Sequence, residues 1–166
     1  MLVLLLTLIL SNFQSKCLED GWKGIQTFKS QKVDVEAKFG KPEVDDNDYY
    51  VYTLSDEWVR VNYSTSPCTD NRYGRGEYSV KEGTVLRYWV SPKKQFKINE
   101  LAFDKKKYFK VSAGDVLDSW AYVNHRDGVI IYVVTDPHRG ELVDKIEYFP
   151  IDKDLEKYSC MKSKSN

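Results

Sequence analysis

The sequence predicts a small α+β domain built on antiparallel β-meanders, with one short N-terminal helix. Three observations carry that class. Short runs of alternating apolar and polar residues recur along the chain, separated by turn signals. Aromatic residues make up 14% of the 166 residues and include 12 Tyr, a composition suited to half-buried pleated surfaces. Only one segment, near the N-terminus, carries complete helix start and stop signals.

The chain opens on MLVLLLTLIL, an apolar run without charge. A bilayer span needs roughly 20 such residues, so the run has the length of a signal-peptide core instead. Residues 1–16 are therefore read as a signal peptide, and the chain as exported to a periplasm or secreted. Two alternatives stay open. Cys17 could be the acylated first residue of a lipoprotein, although Lys16 and Gln14 stand where such signals carry a small residue and Leu. The run could also remain as an uncleaved anchor or a buried strand. Removing residues 1–16 takes away only Lys16, which leaves 24 basic against 25 acidic residues, a net charge of −1. Such a balance offers no global field for nucleic acid or for an anionic membrane.

Residues 17–150 read as one domain, with halves at 17–92 and 93–150, followed by a charged, peripheral tail at 151–166. In KSQKVDVEAKFGKP, Ser30 is the expected N-cap of a helix over 31–39. Val35 and Phe39 stand at i, i+4 on its buried face, Gly40 caps its C-terminus and Pro42 stops it. PEVDDND reads as an acidic turn. DYYVYTL and WVRVNYS, joined by SDE, form a hairpin with Val59 and Val61 on one face and Arg60 and Asn62 on the other. Residues 64–77 form a long polar loop, and GTVLRYWVSP is a strand that Pro92 ends. Beyond it, Ile98, Leu101 and Phe103 mark a short helical turn, and KKKYFKV is a strand or an extended link. SWAYVNH, VIIYVVTD and ELVDKIEYFP complete a second meander, with an Asp-Gly turn between the first two. VIIYVV is apolar on both faces and reads as a central strand.

The two halves look alike in plan. Tyr52 and Tyr122, Val59 and Val129, and Val61 and Ile131 are each 70 positions apart. Two αβββ units fit this spacing, as does one domain with two unrelated meanders.

Candidate chemistry is sparse. There is no nucleophile elbow, and no catalytic residue, cofactor or metal is assigned. His125 and His138 fall in successive turns of one meander, hence at opposite ends of a sheet. Asp45, Asp46 and Asp48 lack the spacing of a calcium loop and read as a solvated turn. Lys105, Lys106 and Lys107 read as a solvated strand edge. Cys17, Cys68 and Cys160 have no zinc-site spacing. Export permits one disulfide. Cys17–Cys68 is the favoured pair, pinning the N-terminus to a loop, with free or otherwise paired thiols as the alternative. The binding candidates are the sheet rings Tyr50, Tyr52, Trp58, Tyr88 and Trp89, because exposed aromatic side chains recruit partners.

Two resemblances enter on these residues. CLEDGWKGIQTFKSQKVDVEAKFGKP, the later SPC, GTVLRYWVSP and the closing HRDGVIIYVVTDPHRGELVDKIEYFP resemble a group of uncharacterised exported proteins, chiefly from acidobacteria-like organisms. That resemblance covers most of 17–150 and implies secretion; Cys17 and Cys68 both fall inside its motifs. Ser30 through Pro42, followed by strands, is similar to the helix-then-sheet pattern of the SmpA/OmlA outer-membrane assembly lipoproteins and of β-lactamase-inhibitor-protein modules. This second resemblance implies a binding module. The expected function is a non-enzymatic protein-binding or envelope-associated module. Its partner would be another envelope or extracellular protein, with membrane contact only if Cys17 is lipidated. A small periplasmic hydrolase or ligand-binding enzyme is one alternative, and a secreted inhibitor acting through 64–77 is another.

Overall fold

The computed structural model describes residues 18, 21–46, 49–65, 67–68, 78–113 and 118–160. Its frame is one antiparallel sheet of eight strands. They are β1 (Val44–Asp46), β2 (Tyr49–Thr53), β3 (Glu57–Tyr63), β4 (Val85–Pro92), β5 (Phe109–Ser112), β6 (Ser119–Asn124), β7 (Val129–Asp136) and β8 (Gly140–Tyr148). The order across the sheet is β1-β2-β3-β4-β8-β7-β6-β5. Each half is thus a four-stranded meander, and the last strand of each meets the other at the centre. Among the described residues, two short helices accompany the sheet, α1 (Lys32–Phe39) and α2 (Asp152–Tyr158). The architecture is mainly β, with less helix than an α+β class implies. No helix among the described residues is long and apolar enough to cross a membrane.

Alternation along the strands builds the core on one face. Tyr52, Val59, Val90, Ile146, Ile131 and Tyr122 line up across successive strands. All six are buried, with Trp22, Ile25, Ile98 and Leu101 packed against them. Val35 of α1 is buried in the same cluster, and Phe39 meets Tyr52 edge-on at 5.9 Å. Full burial of such a side chain is worth about 1.5–3 kcal/mol, which holds an eight-residue helix too short to persist alone. Gly40 ends α1 at φ +81°, where a Cβ would be strained.

The helix begins one residue later than its sequence signals suggest. Gln31, not Ser30, is its N-cap. The Gln31 amide donates to Asp34 Oδ2 at 2.8 Å, and its side-chain amide donates to Thr84 Oγ1 at 2.8 Å. Ser30 Oγ is engaged by the Gln26 amide at 3.0 Å, in the turn before the helix.

Two further expectations are corrected. The acidic stretch at 44–46 is an edge strand rather than a turn, paired with β2 from Val44↔Val51 to Asp46↔Tyr49. The disulfide joins Cys68 to Cys160, not to Cys17. Its physical reason lies in the C-terminal segment, which docks. Leu155 and Tyr158 of α2 pack on a second cluster of Phe28, Tyr78, Val80 and Leu86. The Ser79 amide donates to the Tyr158 carbonyl at 2.6 Å, and Tyr78 bridges to Ser159. These contacts bring residue 160 beside residue 68, whose amide donates to the Tyr78 carbonyl at 2.8 Å. Cys17 lies outside the described residues. The two halves share an order but not a register. Tyr52 pairs with Val59, whereas Tyr122 pairs with Ile131, two residues beyond the equivalent Val129. Where α1 precedes the first meander, two 3₁₀ turns, Ile98–Glu100 and Lys105–Lys107, precede the second.

Candidate functional site

The other face of the sheet is open. One row of side chains crosses it from edge to edge. Val44 pairs with Val51, Val51 with Arg60, and Arg60 with Trp89. Trp89 pairs with Glu147, Glu147 with Ile130, Ile130 with Val123, and Val123 with Phe109. Trp58 and Val111 flank this row on the same face, by the two-residue period of β3 and β5. Of the six large hydrophobic side chains that stand exposed among the described residues, four lie here: Val44 at 39%, Trp58 at 45%, Phe109 at 70% and Val111 at 45%. An apolar surface of this extent on one face is what interaction sites show.

Cations sit among the rings. The Arg60 guanidinium lies 3.9 Å from the Tyr49 ring centroid and 5.4 Å from that of Trp89. Arg87 also approaches Trp89, at 5.3 Å. Lys93 stands 5.7 Å from Trp58, and Lys145 stands 4.5 Å from Tyr132. Such contacts steady both ring and cation and leave the charge available to solvent. Glu147, the only carboxylate in the row, is buried; it pairs with Arg87 and accepts from the Tyr132 hydroxyl at 2.8 Å. Burial first, and then that bond to a carboxylate, push the Tyr132 phenol well above its ordinary range. Among the described residues, Arg60, Lys93 and Lys145 have no carboxylate partner. The face therefore offers apolar contact area with Arg60, Lys93 and Lys145 among its rings and one exposed acid, Asp46, at its β1 edge.

The structure divides the five rings expected to bind. Trp58 and Trp89 stand on the open face. Tyr52 and Tyr88 are 0% and 1% exposed on the core face, so they are removed from the candidate surface. Tyr50 is half-buried beside Tyr63, at 5.0 Å and edge-on, on that same inner side. Tyr88 is a bolt: its hydroxyl donates to the Ile25 carbonyl at 2.7 Å and accepts from the Trp22 amide at 2.8 Å. Burial raises its phenol above the ordinary range. Tyr49 and Arg60 were missed. The alternation in WVRVN already placed Arg60 beside Trp58, and opposite parity already separated Trp89 from Tyr88.

Other candidates fall apart in space. His125 and His138 lie in turns at opposite ends of β7. Asp45 and Asp46 belong to β1, while Asp48 lies outside the described residues. No group of three His, Cys, Asp or Glu is placed to hold a metal among the described residues. Most of loop 64–77 also lies outside them. Lys110, next to the lysine run, pairs with Glu141, which also accepts from Tyr122 at 3.1 Å. A cleft of about 100 Å³ opens at one end of the sheet, beside Gly21, Lys29, Asp127 and Asp154. It holds none of the rings of the open face.

Among the described residues, fold and site together define a single-sheet β module with one face packed and the other carrying Val44, Trp58, Phe109 and Val111 exposed. No family model and no curated protein matches the chain. Among solved structures, it is similar to a DUF4309 family protein from Bacillus subtilis, at 16% identity and a TM-score of 0.46, over 76% of this chain and 82% of that one. It is also similar to a cysteine-rich secretory protein from Staphylococcus aureus, at 12% identity and a TM-score of 0.38, over 82% of this chain and 49% of that one.

Proposed function

We propose that the chain is an exported, non-enzymatic module that binds another envelope or extracellular protein through the open face of its sheet. The observation that carries the reading is the cross-strand row from Val44 to Phe109, with Arg60 and Trp89 in it and exposed Trp58 beside it. Trp, Tyr and Arg are the residues that dominate protein-interface energetics. Export is supported by the apolar opening run and by a disulfide, a bond that persists in oxidising compartments.

Site-directed crosslinking in native cells tests the binding reading. A photoreactive residue replaces Trp58 in one variant and Val33, exposed on α1 on the opposite side of the sheet, in the other. Adducts from position 58 and none from position 33 are expected. Equal labelling at both, or none at either, refutes the reading. Intact mass of the native protein tests export. A chain starting near residue 17 that gains the mass of two hydrogens on reduction is expected, and a diacyl increment would identify a lipoprotein.

A further inference from the structure

We infer that the partner is a protein surface presenting at least one carboxylate, seated against Arg60, and that it is not a second copy of this chain. The inference rests on the open face being the binding face, and it names the chemistry that face selects.

Charge is the first argument. Arg60, Lys93 and Lys145 face outward among rings with no carboxylate partner among the described residues, and the row's one acid, Glu147, is buried and already engaged. Arg60 is also pre-oriented. Tyr49 and Trp89 flank its guanidinium, at 3.9 and 5.4 Å from their ring centroids. A carboxylate docked there gains charge-assisted hydrogen bonds at little cost in side-chain freedom. A second copy placed face to face would instead bring these cations against each other, which opposes association.

Area and composition are the second argument. Eight strands span about 34 Å, and strands of typical length add about 20 Å in the other direction, so the face measures on the order of 700 Å². One partner in a stable protein complex contributes about 800 Å². Val44, Val51, Val123, Ile130 and Val111 are aliphatic; they suit the apolar side chains of a protein better than the stacked rings of a sugar chain.

The test uses the full mature chain against a displayed library of domain-sized fragments from the organism's own genome, with polygalacturonate as an acidic polysaccharide probe. Selected fragments are measured against the parent chain and against Arg60→Glu, Arg60→Gln and Trp58→Ala, each checked for an unchanged fold by thermal melting. Arg60→Gln is the gentler change should charge reversal disturb Glu147. The expected result is at least about a tenfold loss of affinity with Arg60→Glu. A single Asp or Glu→Lys change in the fragment should restore binding to that variant. Fragments that need Trp58 but ignore Arg60 would overturn the carboxylate inference and leave the binding face standing. Fragments indifferent to both, or no binding by fragment or polysaccharide, would overturn the face itself. Binding of polygalacturonate alone, dependent on Arg60, would overturn the protein partner in favour of an acidic glycan. Concentration-dependent dimerisation that Arg60→Glu abolishes would overturn the exclusion of a second copy.

Discussion

Tyr88 and Trp89 are neighbours on β4, yet they belong to different worlds. Tyr88 is sealed under the N-terminal segment, stacked on Tyr148 at 4.6 Å, with its hydroxyl bonded on both sides. Trp89 lies half-exposed, with the guanidinium groups of Arg60 and Arg87 at 5.4 and 5.3 Å from its ring. Tyr52, on the core face, shares a hydroxyl contact of 2.8 Å with Tyr63 and packs on Phe39. Cations reach rings on both sides, Lys32 at Tyr50 and Lys110 at Tyr122 as well as Arg60 at Trp89, so what separates the two faces is burial. The difference teaches that the protein spends one face on stability and keeps the other chemically unfinished, which is what a docking surface requires.

The sharpest way to break that contrast is to empty the core face. Tyr88→Ala should cost about 3–5 kcal/mol, read as a fall in denaturant midpoint. Tyr88→Phe sharpens the point, because it strands the Trp22 amide and the Ile25 carbonyl; about 1–3 kcal/mol is expected. Cys160→Ser opens a cross-link spanning 92 residues and should cost about 2–5 kcal/mol, with α2 the first element to lose amide protection. Trp58→Ala on the open face should change stability by less than about 1 kcal/mol while reducing capture of any partner. A large loss of stability there would mean that this face is structural.

The smallest effect concerns acid. The Lys110 bond first, and then the Tyr122 hydroxyl, hold the Glu141 carboxyl below the usual carboxylate range. A depressed carboxylate stabilises fully above its unfolded value, about pH 4.3, and the contribution fades as pH falls through the lower folded value. Hydrogen exchange should therefore show β5 loosening in acid before the rest of the sheet, and Glu141→Gln should remove the pH dependence of that step.

Six of the eight strands were legible because each buries one face, so alternation marks them to within a residue or two. The edge strands were less so: β1 was read as a turn, and β5 only as a strand or an extended link. Every residue of β1 and β5 is exposed, so no burial rhythm exists to read. Parity alone could pair Trp58 with Arg60 and divide Trp89 from Tyr88. It could not say which parity faces inward; that is decided by where α1 and the Trp22 segment settle. The disulfide was out of reach for the same kind of reason. Leu155 and Tyr158 are two apolar positions on a charged seven-residue helix, and only their docking on Phe28 and Tyr78 brings Cys160 to Cys68.

The meeting of β4 and β8 at the centre also sets an order of folding. Hairpins within each meander close over short loops and can form early. The seam between them is registered by Tyr88↔Tyr148, Trp89↔Glu147 and Val90↔Ile146, and the first pair is separated by 148 minus 88, or 60, residues. A chain emerging N-terminus first must release β8, the last strand, before either half gains its central neighbour. The first meander therefore waits with β4 as a bare edge, and the finished sheet arrives late and all at once.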